Sequence, residues 1–282
     1  MLLGITGCGA MDNNSISIVM TYYNRKNLLL RTLQSLTQSA VKDFDVIVVD
    51  DASDEDQCIT EIVTMFPFKI TLVQINKQDK TWKNPCMAYN IGFSKITGGI
   101  TVVQNAECIH MYDVLLDIKN RCSYNNYISY SCYSLDEKIT NLLRNVHFGS
   151  SLANKELEDI ISPLSPTLAS LDNLLGWYNH PKYRPVGYHF VAAILTHNLK
   201  KLNGFDEKYA NDLCFDDDEF LCRVKYLKLR VDIPNGDLGS PLVLHQYHHK
   251  NIYKGCSQYN NSLFIRTRNN RNVRANIGKA IL

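Results

Sequence analysis

Residues 15–51 read SISIVMTYYNRKNLLLRTLQSLTQSAVKDFDVIVVDD, and this stretch decides the fold. Ser15 to Tyr22 is β-branched and apolar and ends in a polar cluster, as a strand does. Lys26 to Leu36 sets Leu29, Leu33 and Leu36 on one face of a helix, with Asn24 available as its cap. Phe44 to Val49 is a short apolar run that stops at Asp50-Asp51, the pattern of a parallel strand covered on both faces.

The alternation continues outward. A helix beginning near Asp54 is expected to close over Glu61 to Met65, followed by a strand from Ile70 to Ile75, a helix from Cys86 to Ile96 and a strand from Ile100 to Val103. This order predicts an α/β fold with a mostly parallel, doubly wound sheet. Ligands of such sheets sit beyond the carboxyl ends of the strands. That rule singles out Thr21-Tyr22-Tyr23, Asp50-Asp51 and Gln104-Asn105-Ala106-Glu107, all polar groups directly after apolar runs. Beyond Tyr133 the pattern loosens. Leu152 to Ile161 reads as a helix, Ser162 to Pro166 as a break, Gly176 to His189 as an aromatic loop, His189 to Thr196 as a strand and Phe215 to Leu227 as a helix.

The 282 residues carry a net charge of +2, which gives no electrostatic reason to expect nucleic-acid binding. Nine scattered cysteines without a CxxC pair indicate free thiols in a reducing, cytoplasmic compartment. No segment has the ~20 apolar residues of a transmembrane span. Met1 to Ala10 is apolar but lacks the basic start of a signal peptide.

Five motifs resemble those of family 2 glycosyltransferases with the GT-A fold. They are Ser17-Ile-Val-Met-Thr-Tyr-Tyr-Asn-Arg25, Val48-Val-Asp-Asp-Ala-Ser-Asp54, Met87-Ala-Tyr-Asn-Ile-Gly92, Gly204-Phe-Asp-Glu207 and Phe215-Asp-Asp-Asp-Glu-Phe-Leu-Cys-Arg223. The resemblance spans about Ser15 to His249. It implies a Rossmann-like three-layer sandwich with a mostly parallel, mixed central sheet. It also implies an N-terminal extension over residues 1–14 without fixed structure and a catalytic domain over 15–255. Within that domain a nucleotide-sugar half (15–110) precedes an acceptor half (111–255), and a basic segment (256–282) follows.

The implied reaction is transfer of a sugar, with inversion, from a nucleoside-diphosphate donor of UDP type to a hydroxyl of a glycan, glycolipid or glycoprotein acceptor. Thr21, Tyr23 and Asp51 match the base pocket, and Asn84 and Asn105 lie near the donor. Asp50 and Ser53 are read as shaping the turn, because such side chains bond their neighbouring backbone. The family's D-x-D, which holds a divalent cation, is replaced by Asn105-Ala106-Glu107. Glu107 and His245 are the candidate ligands for Mn²⁺ or Mg²⁺, and His248 and His249 rank behind them, as ligands or as surface residues. Asp217 aligns with the general base and Asp216 with its acceptor-orienting partner; Asp218 replaces Asp217 if the register shifts by one.

Trp177 is a candidate sugar platform, with packing under a loop as the alternative. Arg184 is placed at the acceptor site, and Arg184 or Lys80 could neutralise the diphosphate. The arginines between Arg266 and Arg274, with Lys279, offer a peripheral membrane contact or a solvated face. Two rivals accompany this reading. A nucleotidyltransferase would need a glycine-rich loop where Thr21 to Arg25 stands. A non-catalytic, glycosyltransferase-like binding protein would account for the altered D-x-D.

Overall fold

The computed structural model describes residues 14–164, 175–249 and 258–278. The expected N-terminal extension lies outside the described residues except for Asn14, and so does Lys279. The strands are β1 (Ile16–Tyr22), β2 (Phe44–Asp50), β3 (Lys69–Gln74), β4 (Ile100–Asn105), β5 (Cys108–Met111), β6 (Asn126–Ser129), β7 (Cys132–Ser134), β8 (Gly176–Asn179), β9 (Val191–Leu195), β10 (Arg230–Asp232) and β11 (Leu242–His245). The helices are α1 (Lys26–Leu36), α2 (Cys86–Phe93), α3 (Val114–Arg121), α4 (Glu137–Leu142), α5 (Ala153–Ile161), α6 (Thr196–Leu202), α7 (Asp216–Tyr226) and α8 (Gln258–Thr267).

Strand β1 pairs in parallel with β2 on one side and β4 on the other, so both its faces must be apolar. Ile16, Ile18 and Met20 face a core that holds Leu29, Leu33 and Leu36 of α1. Val19 faces a second core with Ile47, Val49, Phe93 and Phe220. The period of two along a single strand thus supplies two cores. The sheet runs β10-β6-β9-β4-β1-β2-β3, with β9 antiparallel to both its neighbours and every other pairing parallel. With helices on both faces, this is the mixed, mostly parallel three-layer GT-A architecture.

A second sheet, β5-β11-β7-β8, is not foreseen in the sequence reading. Its short strands belong to an irregular part of the chain, and β8 falls inside the expected aromatic loop. The sheet matters because β11 pairs with β5 in a register that sets His245 opposite Cys108, beside Glu107.

The helix expected between Asp54 and Met65 does not form; two 3₁₀ turns, Glu55–Gln57 and Ile62–Thr64, stand there. The Gln57 carbonyl accepts the Tyr22 hydroxyl at 2.6 Å, which ties it to the end of β1 rather than to a helical N–H. Asn24 does not cap α1 either. With φ at +50° it exchanges two hydrogen bonds with Asp54, of 2.7 and 2.8 Å, while the first N–H of α1 goes to the Gln57 side chain. The helix expected to reach Ile96 ends at Phe93.

Three motif residues lock α2 to the turn before α7. The Asn90 amide accepts from Phe205 N at 2.8 Å and donates to Phe205 O at 2.9 Å, deep in the core. Gly204 lies beside it with φ at +69°, and a Cβ there would meet Asn90 Oδ1 at 2.5 Å. Gly92 lets α2 sit directly on the sheet, since a Cβ would come within 2.5 Å of Val19 Cγ1. The C-terminal stretch folds back on the same region: Asn260 Nδ2 bonds the carbonyls of Tyr209, Asp212 and Cys214. No disulfide joins two cysteines among the described residues, and no described helix is long and apolar enough to cross a membrane.

Asn90→Ala is expected to lower unfolding stability by about 2 kcal/mol, because it leaves a buried N–H and C=O unpaired. Gly92→Ala should cost ~1–3 kcal/mol through overpacking against Val19. Urea unfolding of both variants measures the two effects.

Candidate active site

The strand ends that the sequence singles out meet along one edge of the sheet. At the β2 end, Asp51 is buried and accepts Lys80 Nζ at 2.8 Å and Trp82 Nε1 at 2.9 Å. Burial pushes the Asp51 carboxyl above its ordinary range, against the opposing pull of Lys80 and Trp82. The Lys80 ammonium also lies 4.6 Å over the Tyr23 ring, and Tyr23 is 49% exposed. Tyr23, Lys80, Trp82 and Asp51 therefore form one aromatic, charged corner suited to a planar base.

Next to it, the Tyr89 hydroxyl reaches Thr21, the Gln104 carbonyl at 3.0 Å and Asn105 Oδ1 at 3.2 Å. Tyr89 comes from α2, so helix and strand ends are joined through a single buried phenol.

Glu107, just after β4, is buried with both carboxylate oxygens engaged. Arg25 Nη1 lies 3.0 Å from Oε2, while His245 Nε2 and His248 Nε2 lie 3.2 and 3.4 Å from Oε1. Burial alone would raise its pKa, but Arg25 and the two histidines hold it well below the usual carboxylate range. One oxygen of Glu107 and a ring nitrogen of each histidine lie within 4.8 Å of one another. That spacing fits a divalent cation, and Arg25 engages the other oxygen. A donor set of two imidazoles and one carboxylate suits Mn²⁺ better than Mg²⁺, which strongly prefers oxygen.

The acidic run opens α7 behind two consecutive left-handed residues, Cys214 with φ of +62° and Phe215 with φ of +65°. Such backbone is costly for non-glycine residues and persists only where surroundings enforce it. Asn260 is one such restraint, through the Cys214 carbonyl. Each carboxylate then finds a different partner. Asn84 Nδ2 donates to Asp216 at 2.7 Å, His189 Nδ1 lies 2.5 Å from Asp217 Oδ1, and the Tyr188 hydroxyl donates to Asp218 at 2.8 Å. Burial and neighbouring Asp217 raise Asp216 to about 6. Burial disfavours a charged His189, yet Asp217 and then Asp216 raise its pKa on balance. Asp217 is the open member, with its side chain 34% exposed while the Asp216 residue is 7% exposed. His189 packs edge-on to Tyr89 with ring centroids 5.2 Å apart, which links the acidic cluster to the strand-end groups.

Several expected residues thus gather in one place: Thr21, Tyr23, Asp51 and Asn105 at the strand ends, Glu107 with His245, and Asp216 with Asp217. Asn84, expected near the donor, donates to Asp216. Trp177 is packed rather than presented: it is 8% exposed, meets Tyr133 edge-on at 4.9 Å, and belongs to the core of the second sheet. Arg184 bridges to His180 through the backbone and lies near Tyr188.

Arg25 and His189 are functional candidates that the sequence reading passes over. His248, ranked there behind His245, is brought to Glu107 by the turn after β11. Arg25 and His189 adjoin recognised motifs, but no spacing rule points them at carboxylates 82 and 28 residues away.

Arg25→Ala should cost roughly 3 kcal/mol in urea unfolding at neutral pH, because it removes the counter-charge of a buried carboxylate. Arg25→Lys should recover part of that loss.

Comparison with known proteins places the same residues in a family. The model of glycosyl transferase family 2 matches residues 17–171, more than half of the chain. The amylovoran biosynthesis glycosyltransferase AmsB of Erwinia amylovora is 33% identical over 100 residues, covering 34% of this chain and 32% of its own. An uncharacterised glycosyltransferase of Haemophilus influenzae is 22% identical across 90% of this chain and 91% of its own. Among solved structures, the Pyrobaculum calidifontis mannosyltransferase PcManGT in complex with GDP-Man and Mn²⁺ superposes with a TM-score of 0.54. It shares 18% identity over 84% of this chain and 58% of that one. S. aureus TarS 1–349 in complex with UDP-GlcNAc gives 0.56 at 14% identity, over 84% and 59%. The chain thus spans about a third of AmsB and somewhat over half of these two solved chains. With its opening motifs inside the matched region and the matching architecture around them, the chain belongs to glycosyl transferase family 2.

Proposed function

We propose that this protein transfers a sugar, with inversion, from a nucleoside-diphosphate sugar of UDP type to a hydroxyl acceptor, with Asp217 as general base. The observation that carries the reading is the three-point suspension of the acidic cluster. Asn84, His189 and Tyr188 each hold one carboxylate, and Asp217 keeps an open side, its side chain 34% exposed. A solvated helix start stabilised by the helix dipole would not need partners from two distant stretches of chain, Asn84 before α2 and Tyr188-His189 before β9. The same suspension favours catalysis over the non-catalytic alternative.

In this mechanism the donor base enters the corner of Tyr23, Asp51, Lys80 and Trp82, and Asn105 faces the donor from the β4 end. Asp217 Oδ2 accepts the proton of the acceptor hydroxyl as that oxygen forms its bond to the anomeric carbon. The bond from that carbon to the leaving phosphate oxygen breaks on the opposite face, and the nucleoside diphosphate departs. The proton leaves Asp217 to solvent through its open side. His189 keeps Oδ1 occupied, so Oδ2 is the oxygen presented. Arg25 and Lys80 supply positive charge beside the leaving diphosphate. A divalent cation held by Glu107, His245 and His248 would add Lewis-acid stabilisation of that leaving group.

Thermal-shift screening against UDP, GDP, CMP and dTDP, with and without Mn²⁺, tests the donor site. At a hundred times its dissociation constant a ligand stabilises by about 2.7 kcal/mol. A shift with UDP that Asp51→Ala removes is expected; silence across the panel would sink the donor reading. Mn²⁺ alone should raise the melting temperature of wild type and leave Glu107→Gln unchanged.

Asp217→Asn should retain UDP binding and lose ~10²–10⁴ in turnover, followed as sugar transfer or slow donor hydrolysis. An acid limb of the rate profile is expected near pH 6, the range in which Asp216, beside the base, takes up a proton. Asp216→Asn should abolish that limb, so that activity falls only at lower pH. His189→Gln should move it upward by removing the cation that favours ionised carboxylates. Limbs that stay fixed in both variants would separate this cluster from the chemistry.

A further inference from the structure

Beside the Glu107 cluster opens a distinctly basic cleft of about 430 Å³, lined in part by Arg25 and His248. It runs outward between the start of α1, the start of α4 and the turn Tyr247 to His249. Arg25 and His248 are shared with the candidate cation site. Beyond them the cleft is lined by Lys26, Arg31, Arg144 and His249, against a single exposed acid, Glu137. Among the described residues neither Lys26, Arg31 nor Arg144 joins an ion pair. Arg31 donates to Gln246 Oε1 at 3.1 Å and Arg144 to Asn141 Oδ1 at 2.9 Å, both neutral acceptors.

Two features separate this cleft from an ordinary basic surface. The first is that Arg31 is held in place. Gln246 is fully buried and donates to the Leu28 carbonyl at 3.0 Å and the Glu107 carbonyl at 3.2 Å, so it fixes the guanidinium relative to the site. The second is that Arg31 shares the cleft with another arginine, Arg144, and among the described residues neither is paired with an acid. Burial and then the charge of Arg144 pull the Arg31 pKa down. Like charges gathered in a concave, partly desolvated wall are destabilising by themselves and are relieved by a bound anion.

The donor's diphosphate does not account for the whole cleft. Arg31 lies six residues along α1 from Arg25, about 9 Å at 1.5 Å per residue. Arg25 and the histidines belong to the diphosphate, while Arg31 and Arg144 stand further out. Resting on the donor site proposed above, we infer that the cleft binds a phosphate group of a ligand other than the donor, a phosphate-bearing acceptor. Arg31 and Arg144 would grip it as a fork of planar donors, with Lys26 adding charge at the mouth.

The test is isothermal titration of inorganic phosphate, and separately of sn-glycerol 3-phosphate, into metal-free protein with and without saturating UDP. Both probes should bind in the presence of UDP. Arg144→Gln and Arg31→Gln/Arg144→Gln should weaken phosphate about tenfold or more while leaving UDP affinity unchanged. Unchanged UDP binding also shows that the variants fold. Three results would overturn the inference: phosphate displaced competitively by UDP, phosphate affinity preserved in the double variant, or inorganic phosphate bound and the organic phosphate refused. If the protein fails to bind UDP at all, the donor reading falls, and the titrations without UDP still decide whether Arg31 and Arg144 form an anion site.

Discussion

The paired hydrogen bonds between the Asn90 side chain and the Phe205 backbone are the constraint on which the site depends. They join α2, which presses on β1 and β2, to the turn that leads into α7. Tyr89, one residue earlier, carries its hydroxyl to the ends of β1 and β4. Asn84, just before the same helix, grips the first carboxylate of α7. A single short helix therefore sets the distance between the strand-end groups and the acidic cluster. Glycine at 92 and 204 follows from that arrangement, since both approaches are too close for a Cβ.

Electrostatically the site has two opposed poles. On the α2 and α7 side, three consecutive carboxylates are kept together by partial burial and by neutral or cationic donors. Protonation is within reach there, with Asp216 near 6. On the α1 side, one buried carboxylate is surrounded by Arg25, His245 and His248 and is held firmly ionised. A donor with a negatively charged leaving group and the neutral hydroxyl of an acceptor suit such a division. The cationic pole meets charge that develops on departure, and the acidic pole takes up the proton. The basic cleft beyond Arg25 continues the cationic pole outward.

Backbone strain is concentrated where these carboxylates begin. Two left-handed residues, Cys214 and Phe215, aim the first turn of α7, and Asn260 of α8 fastens the preceding loop through several carbonyls at once. The C-terminal stretch is thereby part of the scaffold of the site. Arg223 serves the same end from within α7, bonding Glu219 through two nitrogens and the Leu202 carbonyl through a third.

Five of the seven strands of the central sheet, β1 to β4 and β9, are legible in the sequence, because apolar runs stopped by polar residues have few other solutions; the short β6 and β10 carry no such run and are seen only in the fold. The sequence by itself also determined the motif positions: Thr21, Tyr23, Asp51, Asn105, Glu107 and the acidic run all follow or open regular elements, where local pattern is informative. Tertiary structure decided the rest. The stretch from Asp54 to Met65 has helix-like composition, but Tyr22 takes the Gln57 carbonyl and two 3₁₀ turns form instead. Trp177 has the chemistry of a sugar platform, yet the second sheet buries its ring, and the short irregular strands of that sheet leave no periodic signal. His189 and Arg25 meet carboxylates far away in sequence, through contacts that no local spacing encodes. Local periodicity fixes which face of an element is buried; which charged groups then face each other depends on how whole elements pack.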